Sequence, residues 1–260
     1  MRIARVRVLS TGAEHYATLH GEEARILSQP PFDGIVESGE RVSMGDVQLL
    51  APTLAVNYWG VGFNYADHLE QAAATSGQDI PTLPRPWHKG VGSLIGPNEP
   101  IVIPPEAEAV HYEGELVVVI GKRSRRITPE QARQNILGYT CGNDVSEKES
   151  WEGEGTMWRA KGTDTFGPAG PWIETDIDPQ DQDLIVRLNG KEEHRTRTSA
   201  MIHSVYNLVS YMSQFTTLYP GDLILTGAAG TTKAMQPGDV VEVEISGIGT
   251  LTNPVEAEKA

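Results

Sequence analysis

Two glutamates separated by one residue open an apolar run: His111-Tyr112-Glu113-Gly114-Glu115 leads directly into Leu116-Val117-Val118-Val119-Ile120. In an extended strand, residues two apart share a face, so Glu113 and Glu115 point the same way. Side-by-side carboxylates repel unless a cation or a proton separates them. Asp144, which ends Tyr139-Thr140-Cys141-Gly142-Asn143-Asp144, is a candidate third member. Three carboxylates make a hard, all-oxygen site suited to Mg²⁺, Mn²⁺ or Ca²⁺, with positions left for water and substrate. Zinc is disfavoured because no Cys/His ligand spacing is present. Gly114 leaves room for close approach of backbone or ligand. His111 shares the same face and is open to three roles: ligand, partner of a ligand, or structural residue. A Glu-x-Glu pair at a strand start is most often a solvated edge, and spacing alone does not decide the matter.

The elements that must position these groups are mainly strands. Strands are expected at Leu116–Ile120, Leu184–Leu188, Leu223–Thr226 and Val240–Ile245, and Asn189-Gly190 is a strong hairpin signal. Two helices are signed. Thr128-Pro129-Glu130-Gln131 places a capping box and a first-turn proline, with Gly138 closing that helix after Ile136 and Leu137. The second starts near Ser204, with Val205, Leu208, Val209 and Met212 at helical spacing, and stops before Tyr219-Pro220-Gly221-Asp222. Residues 1–50 read as a small N-terminal β region and 51–260 as the main, catalytic domain. Strands outnumber helices without a βαβ rhythm, so the fold class is α+β and β-dominated.

Composition narrows the function. The chain has 260 residues, 39% hydrophobic and 22% charged, consistent with a packed globular core. Gly (27) and Pro (17) imply many turns. No stretch reaches the roughly 18 apolar residues of a membrane span. Ile3, Val6 and Val8 alternate with Arg5 and Arg7, a strand pattern rather than a signal peptide. Cys141 is the single cysteine, so no internal disulfide forms, and a cytoplasmic location is expected. A net charge of −14 makes nucleic acid a poor partner, none being expected, and forces any anionic substrate to rely on local cations.

Several segments, in order, resemble the fumarylacetoacetate hydrolase family over roughly Val47 to Val255. They are Val61-Gly62-Phe63-Asn64-Tyr65-Ala66-Asp67-His68, then His111-Tyr112-Glu113-Gly114-Glu115-Leu116 with its apolar run and Gly121-Lys122. Gly138-Tyr139-Thr140 through Asn143-Asp144, Ala160-Lys161-Gly162 with Asp164, and Leu188-Asn189-Gly190 follow. Pro220-Gly221-Asp222-Leu223-Ile224-Leu225-Thr226-Gly227 and Pro237-Gly238-Asp239 complete the set. Within the family, the run from His111 to Lys122 looks most like the bacterial 2-hydroxyhepta-2,4-diene-1,7-dioate isomerase/decarboxylase branch.

The resemblance implies a mixed β-roll, usually dimeric, so a homodimer is expected. It implies that Glu113, Glu115 and Asp144 bind Mg²⁺ or Mn²⁺, with Ca²⁺ also compatible. It assigns His68 as active-site base and Lys161 as a catalytic lysine, and it places Lys89, Thr226 and Gly227 on the substrate. Three positions depart from the family pattern. A glutamate commonly stands three residues after the histidine, where this chain has Gln71. Glu70 falls about 200° from His68 on a helix of about 3.6 residues per turn, which makes it the weaker candidate for a catalytic dyad. Gly90 replaces the proline after Lys89, and Ala228-Ala229 follow Thr226-Gly227 where Thr-Pro is usual.

The chemistry implied is that of a small 2-oxo, 2,4-dioxo or 2-hydroxy-dienoic acid. A divalent cation would polarise the keto group and stabilise an enolate, with Lys161 adding positive charge and Thr226 orienting the substrate carboxylate. If His68 deprotonates water, an acylpyruvate is hydrolysed at a carbon–carbon bond. If no water is activated, the same enolate serves a decarboxylase or an enol–keto isomerase of aromatic-acid catabolism, and Gln71 favours that reading. The remote alternative is a non-catalytic acidic β domain binding Ca²⁺ or a partner protein.

Overall fold

The computed structural model describes residues 1–65, 82–149, 156–230 and 232–259. The strand Gly114–Ile120 runs through the middle of its largest sheet. It is buried on both faces, as an uninterrupted apolar run requires. Leu116, Val118 and Ile120 join one core cluster, while Val117 and Val119 join a second on the opposite face. Ile136–Asn143 lies antiparallel on one side of this strand, and Leu223–Leu225 antiparallel on the other. Tyr58–Gly62 then pairs parallel with Leu223–Leu225, and Arg85–His88 closes that edge antiparallel.

In the other direction the sheet continues through Gly167–Glu174 to Arg2–Val8, Glu14–His20, Glu23–Leu27 and Glu37–Ser43. The first 50 residues therefore form strands with their own apolar cluster, around Ala4, Val6, Ala17, Ala24 and Ile26. They remain continuous with the main sheet through Arg2↔Glu174 and Ile3↔Ile173. A second sheet, ordered Lys191–Arg197, Asp183–Leu188, Val240–Ile245, Gly249–Ala257 and Ile101–Ile103, packs across the first. Leu184, Val186, Val243, Ile245 and Leu251 bury against Leu116, Val118 and Cys141. Parallel and antiparallel pairs mix in this α+β, strand-dominated architecture, as the sequence predicts. Among the described residues no helix is long and apolar enough to cross a membrane.

The helix Val205–Phe215 starts where Ser204 accepts a hydrogen bond from the Asn207 backbone. It buries Leu208, Val209 and Met212, worth about 1.5–3 kcal/mol each. The capping box at Thr128 and Gln131 also forms, but the helix Pro129–Asn135 ends earlier than Gly138. Ile136 turns extended because the following residues pair with Gly114–Ile120. Gly138 is instead a contact point between strands: a Cβ there would lie 2.5 Å from the Glu174 carbonyl oxygen. Gly114 likewise makes room for neither backbone nor ligand, since its missing Cβ would fall 2.4 Å from Val186 Cγ2 of the second sheet. Asn189 and Gly190 both take positive φ (55° and 74°), as a tight hairpin between right-twisted strands demands.

Candidate active site and metal centre

Strand register explains how three carboxylates distant in sequence meet. Gly114 pairs with Asn143 and Glu115 with Gly142, so Glu113, just before one strand, faces Asp144, just after the other. The Asp144 backbone N–H donates to the Glu113 carbonyl at 2.8 Å, and the Glu113 N–H donates to Asn143 Oδ1 at 2.8 Å. One oxygen each from Glu113, Glu115 and Asp144 lies within 4.8 Å of the others, and all three residues are buried. That spacing matches the span across a cation with oxygen ligands at about 2.0–2.6 Å.

Buried carboxylates demand compensation, and lysines supply it to Glu113 and Asp144. Lys161 Nζ donates to Glu113 Oε2 at 2.8 Å and also to Asp144 Oδ2. Lys89 Nζ donates to Asp144 Oδ1 at 2.7 Å and to the carbonyls of Lys161 (2.6 Å) and Val145 (3.3 Å). Lys148 donates to Glu113 Oε1. Burial works against the charged form of Glu113, but the Lys161 and Lys148 ammoniums overcome it and hold that carboxyl well below the usual range. Burial also opposes a charged Lys161, and the Asp144 and Glu113 carboxylates reverse this to hold the ammonium above its ordinary value.

Glu115 is different. Its Oε2 accepts the Gly227 backbone N–H at 2.6 Å, and no ammonium or guanidinium reaches it among the described residues. Burial, and next the Asp144 charge, push its carboxyl well above the ordinary range. The cluster thus lacks positive charge at the corner where Glu115 stands. A divalent cation touching all three carboxylates fits that deficit, and the all-oxygen donor set selects a hard ion.

The carboxylates floor a cavity of about 350 Å³. Its walls come from the paired strands Tyr58–Gly62 and Arg85–His88, with Met157, Lys161 and Ala228 completing them. Gly60 faces Trp87 across the pair, and a Cβ at Gly60 would sit 2.3 Å from the indole, so glycine lets that ring lie across its neighbour. The Trp87 ring centroid is 5.2 Å from Lys161 Nζ and 5.7 Å from Lys89 Nζ, within reach of cation–π attraction. Phe63 adopts φ 58°, an unusual conformation for an aromatic residue, and its ring lies 5.3 Å from the Arg85 guanidinium.

The other residues singled out in the sequence fall in different places. Lys161 lines the cavity. Lys89, expected on the substrate, is fully buried behind Asp144, with the three acceptors just described around its ammonium. Thr226, also expected on the substrate, donates its hydroxyl to the Leu116 carbonyl at 2.8 Å. Gly227 takes φ 106° and spends its N–H on Glu115, while Ala228 reaches the cavity wall. His111 sits in a separate short strand, Val110–His111, and its Nδ1 lies 2.9 Å from Thr232 Oγ1. His68, Glu70 and Gln71 lie outside the described residues.

Sequence reasoning missed Lys148, whose signal was a cation four residues after Asp144. It also missed Arg85, which alternates with Trp87 along one strand face. Asn64 was noted only as a motif letter. Its amide donates to the Thr226 and His203 carbonyls (2.7 and 3.1 Å) and accepts the His203 N–H at 2.8 Å, clamping the turn that presents Gly227.

Residues 57–256 match the family model described as fumarylacetoacetate (FAA) hydrolase, C-terminal, and residues 1–52 match one described as Rv2993c-like, N-terminal. The Mycobacterium tuberculosis protein Rv2993c is 43% identical, with 98% of each chain aligned. A 2,4-didehydro-3-deoxy-L-rhamnonate hydrolase of Sphingomonas sp. is 40% identical over 73% of this chain and 70% of that protein. The crystal structure of 2-hydroxyhepta-2,4-diene-1,7-dioate isomerase from Mycobacterium marinum superposes with a TM-score of 0.91 at 40% identity, covering all of both chains.

Proposed function

The chain belongs to the fumarylacetoacetate hydrolase family, and from that premise we propose that it is a Mg²⁺- or Mn²⁺-dependent enzyme acting on a small 2-oxo or 2,4-dioxo acid, or its 2-hydroxy-dienoic tautomer, through an enolate. The observation that carries this reading is the buried Glu113–Glu115–Asp144 cluster, short of positive charge at Glu115, at the floor of a cavity that Lys161 also lines. When bound there, the cation supplies Lewis acidity to the keto and carboxylate oxygens of a 2-oxo acid.

The chain's own residues do the rest. Lys161 brings a permanent positive charge to the cavity wall, where an enolate oxygen develops. Lys89 fixes Asp144 from behind, and the Gly227 N–H fixes Glu115, so the carboxylates are oriented before substrate arrives. Trp87, Phe63 and Met157 keep the cavity wall apolar, which strengthens every charge interaction inside it.

The first reading of the reaction is hydrolysis of an acylpyruvate-type substrate. His68 takes a proton from water, and the oxygen adds to the 4-carbonyl carbon. The C3–C4 bond then breaks with its electrons passing into the pyruvate enolate, which is protonated at C3. The similarity to the Sphingomonas hydrolase supports this reading. The second reading is isomerisation or decarboxylation through the same enolate. Gln71 in place of glutamate and the full-length similarity to the Mycobacterium marinum isomerase favour it.

The test is an ultraviolet assay with Mg²⁺ or Mn²⁺ on an acylpyruvate, oxaloacetate and a 2-hydroxy-dienedioate. Turnover of at least one is expected, lost on chelation and in Glu115→Gln, and the product separates the two readings. Inertness toward all three sinks the proposal.

A further inference from the structure

Resting on the reading above, we infer that Trp87 is a positioning residue, whose indole face holds the Lys161 ammonium at the cavity wall. The first argument is an inventory of donors. An ammonium carries three N–H groups. Lys89 directs its three to Asp144 Oδ1 and to the carbonyls of Val145 and Lys161. Lys161 donates to Glu113 Oε2 and Asp144 Oδ2, and its third N–H meets no acceptor among the described residues. Its other attractive neighbour is the Trp87 ring, with a centroid 5.2 Å from Lys161 Nζ. That is inside the roughly 6 Å over which a ring face attracts a cation. Lys161 is buried, which places the attraction at the stronger end of its range. The ring attracts the ammonium charge as a whole, so the third N–H stays available to an incoming oxygen.

The second argument is competition. Glu113 and Asp144 between them serve Lys89, Lys148 and Lys161, and both belong to the trio that fits a divalent cation. Each further positive charge they share weakens their hold on any one partner. The indole takes no part in that sharing. Its attraction comes from the ring quadrupole, which adds no negative charge to a protein already at −14. Trp87 therefore offers Lys161 a hold that a cation at the carboxylates leaves intact.

The third argument is that the ring is fixed where the lysine is not. Gly60 pairs with Trp87 on the neighbouring strand, and a Cβ there would lie 2.3 Å from indole Cζ2 and 2.4 Å from Cε2. The missing side chain lets the indole lie across the backbone of Tyr58–Gly62. Lys161 reaches the same place on a flexible four-carbon stem, from a helix of only five residues, Trp158–Gly162. A rigid ring seated on the sheet limits the rotamers open to such a stem.

The experiment replaces Trp87 site-specifically with tryptophans carrying one to four fluorines, because the chain holds five tryptophans and uniform labelling would alter them all. Fluorine weakens the negative ring face and leaves its shape nearly unchanged. Oxalate, a planar dianion shaped like a pyruvate enolate, is titrated by calorimetry into the Mg²⁺-loaded proteins. Affinity is expected to fall stepwise along the series, by about fivefold or more at its end. Lys161→Met should flatten the slope to the remnant due to Lys89, 5.7 Å from the same ring. Trp87→Leu should lose affinity as well, and Trp87→Phe should restore part of it. The same proteins are melted in chelator, where a progressive fall in Tm totalling roughly 2–4 °C is expected with Lys161 and a shallower one in Lys161→Met. Affinity or Tm independent of fluorine number, or equal slopes with and without Lys161, overturns the inference. The melts need no ligand, so oxalate failing to bind any of the proteins counts against the proposed activity alone.

Discussion

Lys89→Met removes one ammonium and leaves the volume of its side chain nearly unchanged. Lys89 is 0% and Asp144 3% exposed, and their contact at 2.7 Å is enclosed by protein. Breaking a buried pair by deleting one partner costs about 3–5 kcal/mol, because the surviving charge stays buried. Here Lys161 still reaches Asp144, which puts the expected loss at the lower end, near 3 kcal/mol. The carbonyls of Val145 and Lys161 lose a donor as well, which adds to it. For a chain of this size each kcal/mol shifts Tm by roughly 2–4 °C, so a fall of about 6–12 °C is expected in chelator. Adding Mg²⁺ or Mn²⁺ should return more of that loss to the variant than it adds to the wild type, because the cation takes over as the partner of Asp144. Thermal melts with and without metal read both effects. A fall of under about 2 °C in chelator would refute the buried-pair reasoning. Identical metal-induced shifts in the two proteins would refute the placement of the cation against Asp144.

Glu115→Gln should separate stability from binding. Burial raises the folded-state pKa of Glu115 above its unfolded value, so its favourable contribution exists below the unfolded pKa and disappears as pH rises through the folded one. In chelator, Glu115→Gln should therefore melt higher than wild type at neutral pH, with the gap closing toward acid. It should also lose metal-induced stabilisation, and a lower melting temperature at neutral pH would contradict this. Gly227→Ala places a Cβ 2.7 Å from Asn64 Cβ on backbone at φ 106°. A loss of about 1–3 kcal/mol and weaker metal affinity are expected in melts and calorimetry, and wild-type values in both would show that Glu115 does not depend on the Gly227 N–H. Gln71→Glu should raise hydrolysis of an acylpyruvate relative to decarboxylation of oxaloacetate, and an unchanged product ratio would remove Gln71 from the choice of reaction.

Local pattern in the sequence located some of the strands, among them the central one that Glu113 and Glu115 lead into, although Glu113 stands just ahead of that strand and His111 lies in a separate one. Glu113 and Glu115 precede a run of five β-branched or aliphatic residues, whose shortness and β-branching favour the strand buried on both faces that it forms. The capping box at Thr128 and the hairpin at Asn189-Gly190 were equally legible, because short-range hydrogen bonds and backbone sterics decide them. The end of the first helix was not. Gly138 reads as a stop signal, yet pairing with Gly114–Ile120 draws the chain extended from Ile136, a choice made by a strand some twenty residues away.

The roles of the cations were least visible. Lys89 and Lys161 look alike in the sequence, and both stand beside a glycine. Only the packing of Trp87 and Asp144 around them makes one a cavity wall and the other a buried brace. Gly114 looked like room for a ligand and proved to be room for Val186, because the second sheet crosses there. Local patterns fix which residues can meet water or core. Register between distant strands, which one residue of slip would undo, fixes which charges meet one another.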